Sequence, residues 1–420
     1  MTMPDYSLGR PLPLWPICLL LYATFSFGAP KSGVPLSLVF AVLIAFWMLQ
    51  ILNFKVHKNF VRFFFFMFSG YFFGIIVAIS NSTLELNSSL NLIISSTLFV
   101  VVASYTQAWA SQPTDLLRCY SNKISLLIIV FFIFSIYEIF NYSNVFEIRN
   151  VIHGDLLDYT ERDVREFSIM RPTGMYSEPS RFAQAMGIFI ALYFLVSRSG
   201  AKTFLLTIFA IFLIRSPMIV YSLPLIFIIC IYDYLPDILS EMPGFKKWFM
   251  KGLCFVAFIT TIIIFIVSQK VRIYEVLLGN DGSFFARIGL PFLYMLNSWE
   301  DIWFGSGLTP LSKMYDYIND LFLIGRSELI GKEFRLAIAP TFAFVTGMGI
   351  VGSMIFISLT LWHFRWRGFY LLTIFYSCNF LSSGANSVSV MLPMAIVFGI
   401  TLAVISRQRI SITIASSLPK

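Results

Sequence analysis

Apolar stretches of about 20 residues, the length that crosses a bilayer, recur along most of this chain. Only 12% of its 420 residues are charged and 58% are hydrophobic, whereas a soluble domain is roughly a quarter charged. Water is therefore a poor solvent for most of the chain, and its 46 phenylalanines suit surfaces that face lipid. The apolar pattern predicts spans over 12–28, 34–53, 63–80, 89–110, 124–141, 182–197, 203–216, 218–235, 252–269, 337–361, 369–382 and 388–406.

Charge placement orients these spans. Reading 203–235 as a tight pair broken at Arg215-Ser216-Pro217 puts Lys55/Lys58/Arg62, Arg118/Lys123, Arg198/Lys202, Lys246/Lys247/Lys251, Arg365/Arg367 and Arg407/Arg409 on one side. The short loops opposite hold only Lys31 and Arg215. By the positive-inside rule, both termini are expected in the cytoplasm. A single long span there would invert the second half and break the pattern. The first span, with Pro16, resembles a signal peptide, but Ser26-Phe27-Gly28-Ala29 is a poor cleavage region, so it is read as a helix.

Two long loops, 142–181 and 270–336, fall on the outer face and hold 15 of the 22 acidic residues. Their basic residues do not contradict the topology, because long loops translocate largely regardless of charge. In the second loop, the aromatic stretch Phe284 to Trp303 predicts helices lying at the membrane surface, with Trp299 and Trp303 at headgroup level. The expected fold is an all-α integral membrane protein of about 12 transmembrane helices in the inner membrane. The net charge of +8 is spread over short clusters between apolar runs, so no nucleic-acid partner is implied. The five cysteines, four of them in apolar runs, suggest neither a disulfide framework nor a metal site, and no cofactor is implied.

Chemistry concentrates in Arg171-Pro172-Thr173-Gly174-Met175-Tyr176-Ser177-Glu178-Pro179-Ser180-Arg181. Pro172 and Gly174 suit a type I turn over 171–174. Glu178-Pro179 reads as a helix start, because proline is favoured at the first helical position. Two guanidinium forks, Arg171 and Arg181, then flank a helix N-terminus, a combination suited to phosphate or pyrophosphate. A structural alternative pairs the same arginines with Glu178 and the five acids of 155–166.

The segment from Arg171 to Ala183 resembles the Arg-x-x-Gly…Glu-Pro-Ser motif of Wzy-type polysaccharide polymerases, in the O-antigen polymerase and ligase superfamily. Arg287 followed by Trp303-Phe304-Gly305-Ser306-Gly307-Leu308 is similar to that family's Arg…Gly-x-Gly loop. The run Gly347-Met348-Gly349-Ile350-Val351-Gly352 is similar to its small-residue helix. The resemblance covers roughly residues 165–355. It implies transfer of a growing glycan from undecaprenyl pyrophosphate to a hydroxyl of the next lipid-linked repeat unit, on the periplasmic side. The partners it implies are that lipid-linked oligosaccharide, membrane lipids and a separate chain-length regulator.

A departing lipid pyrophosphate needs positive charge beside it. The resemblance and the residues together nominate Arg171, Arg181 and Arg287, with Arg215 and Arg272 in reserve. Glu178 is the motif carboxylate, better suited to positioning than to accepting a proton. His153 titrates in a useful range, and Tyr176, Trp299, Trp303, Tyr315 and Tyr317 have faces that could stack on sugars or anchor at the interface. Asp316, Asp320 and Glu328 are further carboxylates of the second loop. The ligase branch's His-Asn pair is replaced here by Ala339-Pro340-Thr341, which favours a polymerase over a ligase and leaves the base unassigned. A lipid-linked oligosaccharide flippase or other transporter is the rival reading. Its ionisable groups would lie within the spans, which contain almost none, Glu138 being the clearest.

Overall fold

A computed structural model describes residues 11–26, 36–80, 86–153, 170–176, 179–197, 199–216, 299–305, 340–365, 367–368, 371–372 and 388–417. Every element among them is helical: α1 (Trp15–Ser26), α2 (Leu36–Ile51), α3 (Lys58–Ser80), α4 (Leu86–Ala110), α5 (Thr114–Phe140) and α6 (Tyr142–His153). Then follow α7 (Pro179–Ser197), α8 (Gly200–Ile214), α9 (Trp299–Phe304), α10 (Pro340–Phe364) and α11 (Val388–Ser417). Five stretches are long and apolar enough to cross a membrane: Lys58–Ser80, Leu92–Ala110, Thr114–Phe140, Pro179–Ser197 and Gly347–Phe364. The expected spans 218–235 and 252–269, and nearly all of 369–382, lie outside the described residues.

The exposed faces of these helices explain why lipid rather than water surrounds them. On α5, Leu117, Ile124, Ile128, Phe132, Ser135 and Glu138 form a buried stripe at helical spacing. The opposite face presents Leu126, Ile129, Val130, Ile133, Ile136 and Phe140, where a soluble helix would carry charge. α5 begins ten residues before the expected 124, directly after Pro113, and so carries Arg118 and Lys123 as part of the helix. α6 falls where a loop was expected; Val145 and Arg149, four residues apart on one face, are both buried. α11 likewise runs on past residue 406 through Arg407 and Arg409.

The chain divides into two compact units. One comprises residues Met1–Lys55, Val101–Ile273 and Ala395–Lys420, the other Val56–Val100 and Tyr274–Met394. At the centre of the first unit lies α7, of which 15 of 19 residues are buried. A helix apolar all round, with Ala183, Ala185, Gly187 and Ala191 letting neighbours approach, fits such a position. It packs against α5, α8 and α1. Phe131 of α5 meets both Phe182 and Phe189 of α7.

In the second unit α3 and α10 run antiparallel. Phe63 packs on Phe356, and the backbone of Gly70 lies against Gly352, so closely that neither has room for a side chain. At one end of this pair Arg62 reaches His363, with Nη1 3.3 Å from Nε2. The Lys58/Arg62 and Arg365 clusters, expected on one side of the membrane, thus meet at one end of a helix pair.

Where α3 begins is fixed by His57. Its Nδ1 accepts the Asn59 backbone N–H at 3.2 Å, serving as an N-cap, which an imidazolium cannot do. Burial, and then the neighbouring Lys58, lower its pKa from 6.5 to about 4. The unfolded chain therefore takes up this proton first as pH falls. The stabilisation is complete above 6.5 and is lost as pH drops towards 4. Purified protein in detergent should melt at a lower temperature at pH 5 than at pH 7, and His57→Asn, a cap that does not titrate, should reduce that difference. Identical pH dependence in the two proteins would contradict the assignment.

Candidate functional site

The segment singled out in the sequence forms a tight, strained turn in the first unit. Its position differs from expectation: the closing hydrogen bond runs from Tyr176 N to Thr173 O at 2.9 Å, so the turn spans 173–176 rather than 171–174. Both central residues have positive φ, Gly174 at 55° and Met175 at 71°, the sign pattern of a type I′ turn. Glycine is required at 174 twice over, because a Cβ there would also strike the ring of Phe182. Met175 has no such freedom and holds a left-handed conformation that costs about 1–2 kcal/mol. Something outside the turn must hold it.

That something is Glu138, two residues short of the end of the buried stripe's helix. Its Oε2 accepts the backbone N–H groups of Thr173 and Gly174, each at 2.9 Å. Its Oε1 accepts the Thr173 hydroxyl at 2.6 Å and faces Arg149 Nη1 at 3.4 Å. The carboxylate is fully buried and the Arg149 side chain is 1% exposed. An unpaired charge at that depth is untenable, so α6 folds back from α5 to bring the cation. Hydrogen bonds to an ionised group contribute about 1.5–3 kcal/mol each, enough in sum to outweigh the strain at Met175.

Below the turn is an aromatic cluster. Tyr176 stacks on Phe182 at 5.6 Å and 28° and meets Tyr22 and Phe131 edge-on or tilted. The expectation that Tyr176 presents a face to a sugar is thereby corrected: the residue is 0% exposed and its ring is surrounded by protein. Burial, followed by Tyr22 and Cys18, pushes its phenol above the ordinary range, so it stays neutral. α7 starts at Pro179, as expected for proline at a first helical position. Arg181 is the third residue of that helix, and its neighbour Phe182 touches the turn.

Of the three arginines expected to act together, Arg171 and Arg181 lie on either side of this turn in the first unit. Arg171, two residues before the tethered Thr173, is 8% exposed, and Arg181 is half-buried. Arg215 is exposed at the end of α8 in a left-handed cap. Its N–H bonds Ile211 O at 3.1 Å and its Nε bonds Phe212 O at 3.3 Å. His153 is the last residue of α6. Glu178, Arg272, Arg287, Tyr315, Asp316, Tyr317, Asp320 and Glu328 lie outside the described residues. Of the two residues that hold the turn in place, one escaped the sequence reading. Glu138 was visible as an ionisable residue in an apolar helix, a functional signal by default; Arg149 gave no signal beyond lying within chain reach of it.

In the second unit the two glycine motifs meet. Gly305, just after α9, and Gly349, which interrupts α10 with φ 68° and ψ 179°, lie backbone to backbone. A Cβ on either would collide with the main chain of the other, so the small residues serve a close crossing and a kink. Trp303, at the end of α9, remains 43% exposed beside it.

Compared with known proteins, the chain matches no family model, no curated protein and no solved structure.

The turn yields a paired test. Gly174→Ala should lower stability by at least about 2 kcal/mol, combining left-handed strain with overpacking against Phe182. Met175→Gly, which relieves strain while loosening the unfolded chain, should stay within about 1 kcal/mol of the parent. Denaturation in detergent measures both, and equal losses in the two variants would contradict the turn described here.

Proposed function

We propose that this chain is a polysaccharide polymerase of the inner membrane. In this reading it has about 12 transmembrane helices with both termini cytoplasmic, and it joins undecaprenyl-pyrophosphate-linked repeat units at its periplasmic face. The observation that carries the reading is the Arg171–Tyr176 segment, bound through Thr173 and Gly174 to a buried carboxylate and leading at once into the N-terminus of α7. The turn between the two arginines is rigidly held and strained at Met175, and strain of this kind collects at functional sites. The resemblance of the same residues to the polymerase motif supplies the chemistry.

In the reaction the bond between the anomeric carbon of the growing glycan and its pyrophosphate oxygen breaks. A bond forms from that carbon to a hydroxyl oxygen of the incoming repeat unit, and the hydroxyl proton passes to a base. Negative charge develops on the departing diphosphate. Arg171 and Arg181 neutralise it, helped by the positive end of the α7 dipole. The charge of Glu138 is already matched by Arg149, so the turn brings the arginines without bringing net negative charge.

A flippase is the competing reading, favoured by the presence of a buried charge pair at the end of a span. Both oxygens of Glu138 are committed to holding the turn, which leaves that pair poorly suited to coupling or substrate passage. One gel separates the readings. In the native host, Arg171→Ala and Arg181→Ala should each reduce polymer by about 10²-fold or more, as removal of a charge-stabilising donor does, leaving a single repeat unit on the surface. Arg171→Lys should recover only part, because an ammonium lacks the planar fork. Full-length polymer in both alanine variants would overturn the proposal, and loss of the single-repeat product as well would favour a flippase.

A further inference from the structure

We infer that Glu138 is a positioning residue for the transfer reaction, setting where Arg171 stands by fixing the backbone of the turn, and that Arg149 serves to let a carboxylate occupy that place. The inference rests on the polymerase reading for its functional consequence, but the positioning itself is a property of the fold. Three groups of the turn converge on one side chain: the Thr173 and Gly174 N–H groups at 2.9 Å and the Thr173 hydroxyl at 2.6 Å. They come from residues two and three positions after Arg171. With Thr173 fully buried and Gly174 blocked by Phe182, the chain at this point has no other place to go. The carboxylate lies 35 residues away in sequence, on a helix that is itself packed into the unit. It thus refers the loop to a rigid scaffold.

The chemistry of the acceptor predicts how substitutions sort. In Glu138→Gln the amide oxygen keeps the two backbone N–H bonds, but the NH₂ group then faces the Arg149 guanidinium, donor against donor. Arg149 loses its carboxylate in a buried setting, which is the more damaging half of the change. Glu138→Gln combined with Arg149→Met removes both charges while keeping the oxygen that holds the turn. Replacing a whole buried ion pair with neutral groups is often tolerated. If Glu138 instead took or gave a proton, or coupled to a transported ion, the double variant would be as inactive as the single one.

The test uses the full chain in its native host, with its five cysteines replaced by alanine and Met175→Cys as a reporter on the turn, in four backgrounds: parent, Glu138→Gln, Glu138→Gln/Arg149→Met and Arg171→Ala. Two quantities are read, the rate of thiol labelling at position 175 and the polysaccharide ladder. We expect Glu138→Gln to raise labelling several-fold and to cut polymer by about 10²-fold, the effect of misplacing a reacting group by roughly 1 Å. The double variant should return labelling to the parent rate and restore most of the polymer. Unchanged labelling in Glu138→Gln, or a double variant with parental labelling and no polymer, would overturn the positioning role. Altered and rescued labelling with a normal ladder even in Arg171→Ala would support the positioning of the turn and remove the polymerase reading.

Discussion

A carboxylate buried at the end of a membrane helix is the constraint around which the first unit is organised. Glu138 cannot remain there unless its charge and its lone pairs are answered. The answers dictate local structure: α6 turns back from α5 at Asn141 and delivers Arg149, and the chain re-entering before α7 presents Thr173 and Gly174. From that follow the positive φ at Met175, the absence of a side chain at 174, the stacking of Tyr176 on Phe182 and the start of α7 at Pro179. A single apolar substitution at 138 would take from Arg149 its buried carboxylate and from the turn the acceptor that fixes Thr173 and Gly174.

The energetics explain why such an arrangement persists. Holding Met175 in the left-handed region works against folding, as does dehydrating a charge pair. Three hydrogen bonds to an ionised acceptor, at distances of 2.6–2.9 Å, act together against those terms. The aromatic cluster of Tyr22, Phe131, Tyr176 and Phe182 closes the turn off from water and lowers the local dielectric, which strengthens the same bonds. A loop built this way holds the groups beside it in one geometry, as reaction sites require and linkers do not.

Much of the architecture was legible in the sequence, for identifiable reasons. The start of α7 followed from a proline at the first helical position. α8 ends at the expected break because Arg215-Ser216-Pro217 cannot continue a helix. The run Gly347 to Gly352, read in the sequence only as a small-residue helix, is a place of close approach, against Gly305 and Gly70. What could not be read were long-range pairings. Glu138 announced that it needed partners but not which ones. Arg149 looked like any loop arginine, because α6 was hidden by its polar exposed face. The turn register was missed because methionine carries no preference for positive φ; tertiary hydrogen bonds, not local propensity, put it there. Tyr176 was misjudged for the same reason: an aromatic near a membrane surface suits an interface anchor and a core residue equally well in sequence.

The account depends on the 142–181 segment lying outside the cytoplasmic membrane, opposite the basic end of α5. Two exposed positions on either side of that helix decide it: Cys119, already present near its start, and Ser143, just beyond its end. Intact cells carrying Ser143→Cys should be labelled at 143 by a membrane-impermeant thiol reagent, with Cys119 reacting only after permeabilisation. Labelling of Cys119 in intact cells, with position 143 protected until the membrane is opened, would contradict the account at its root.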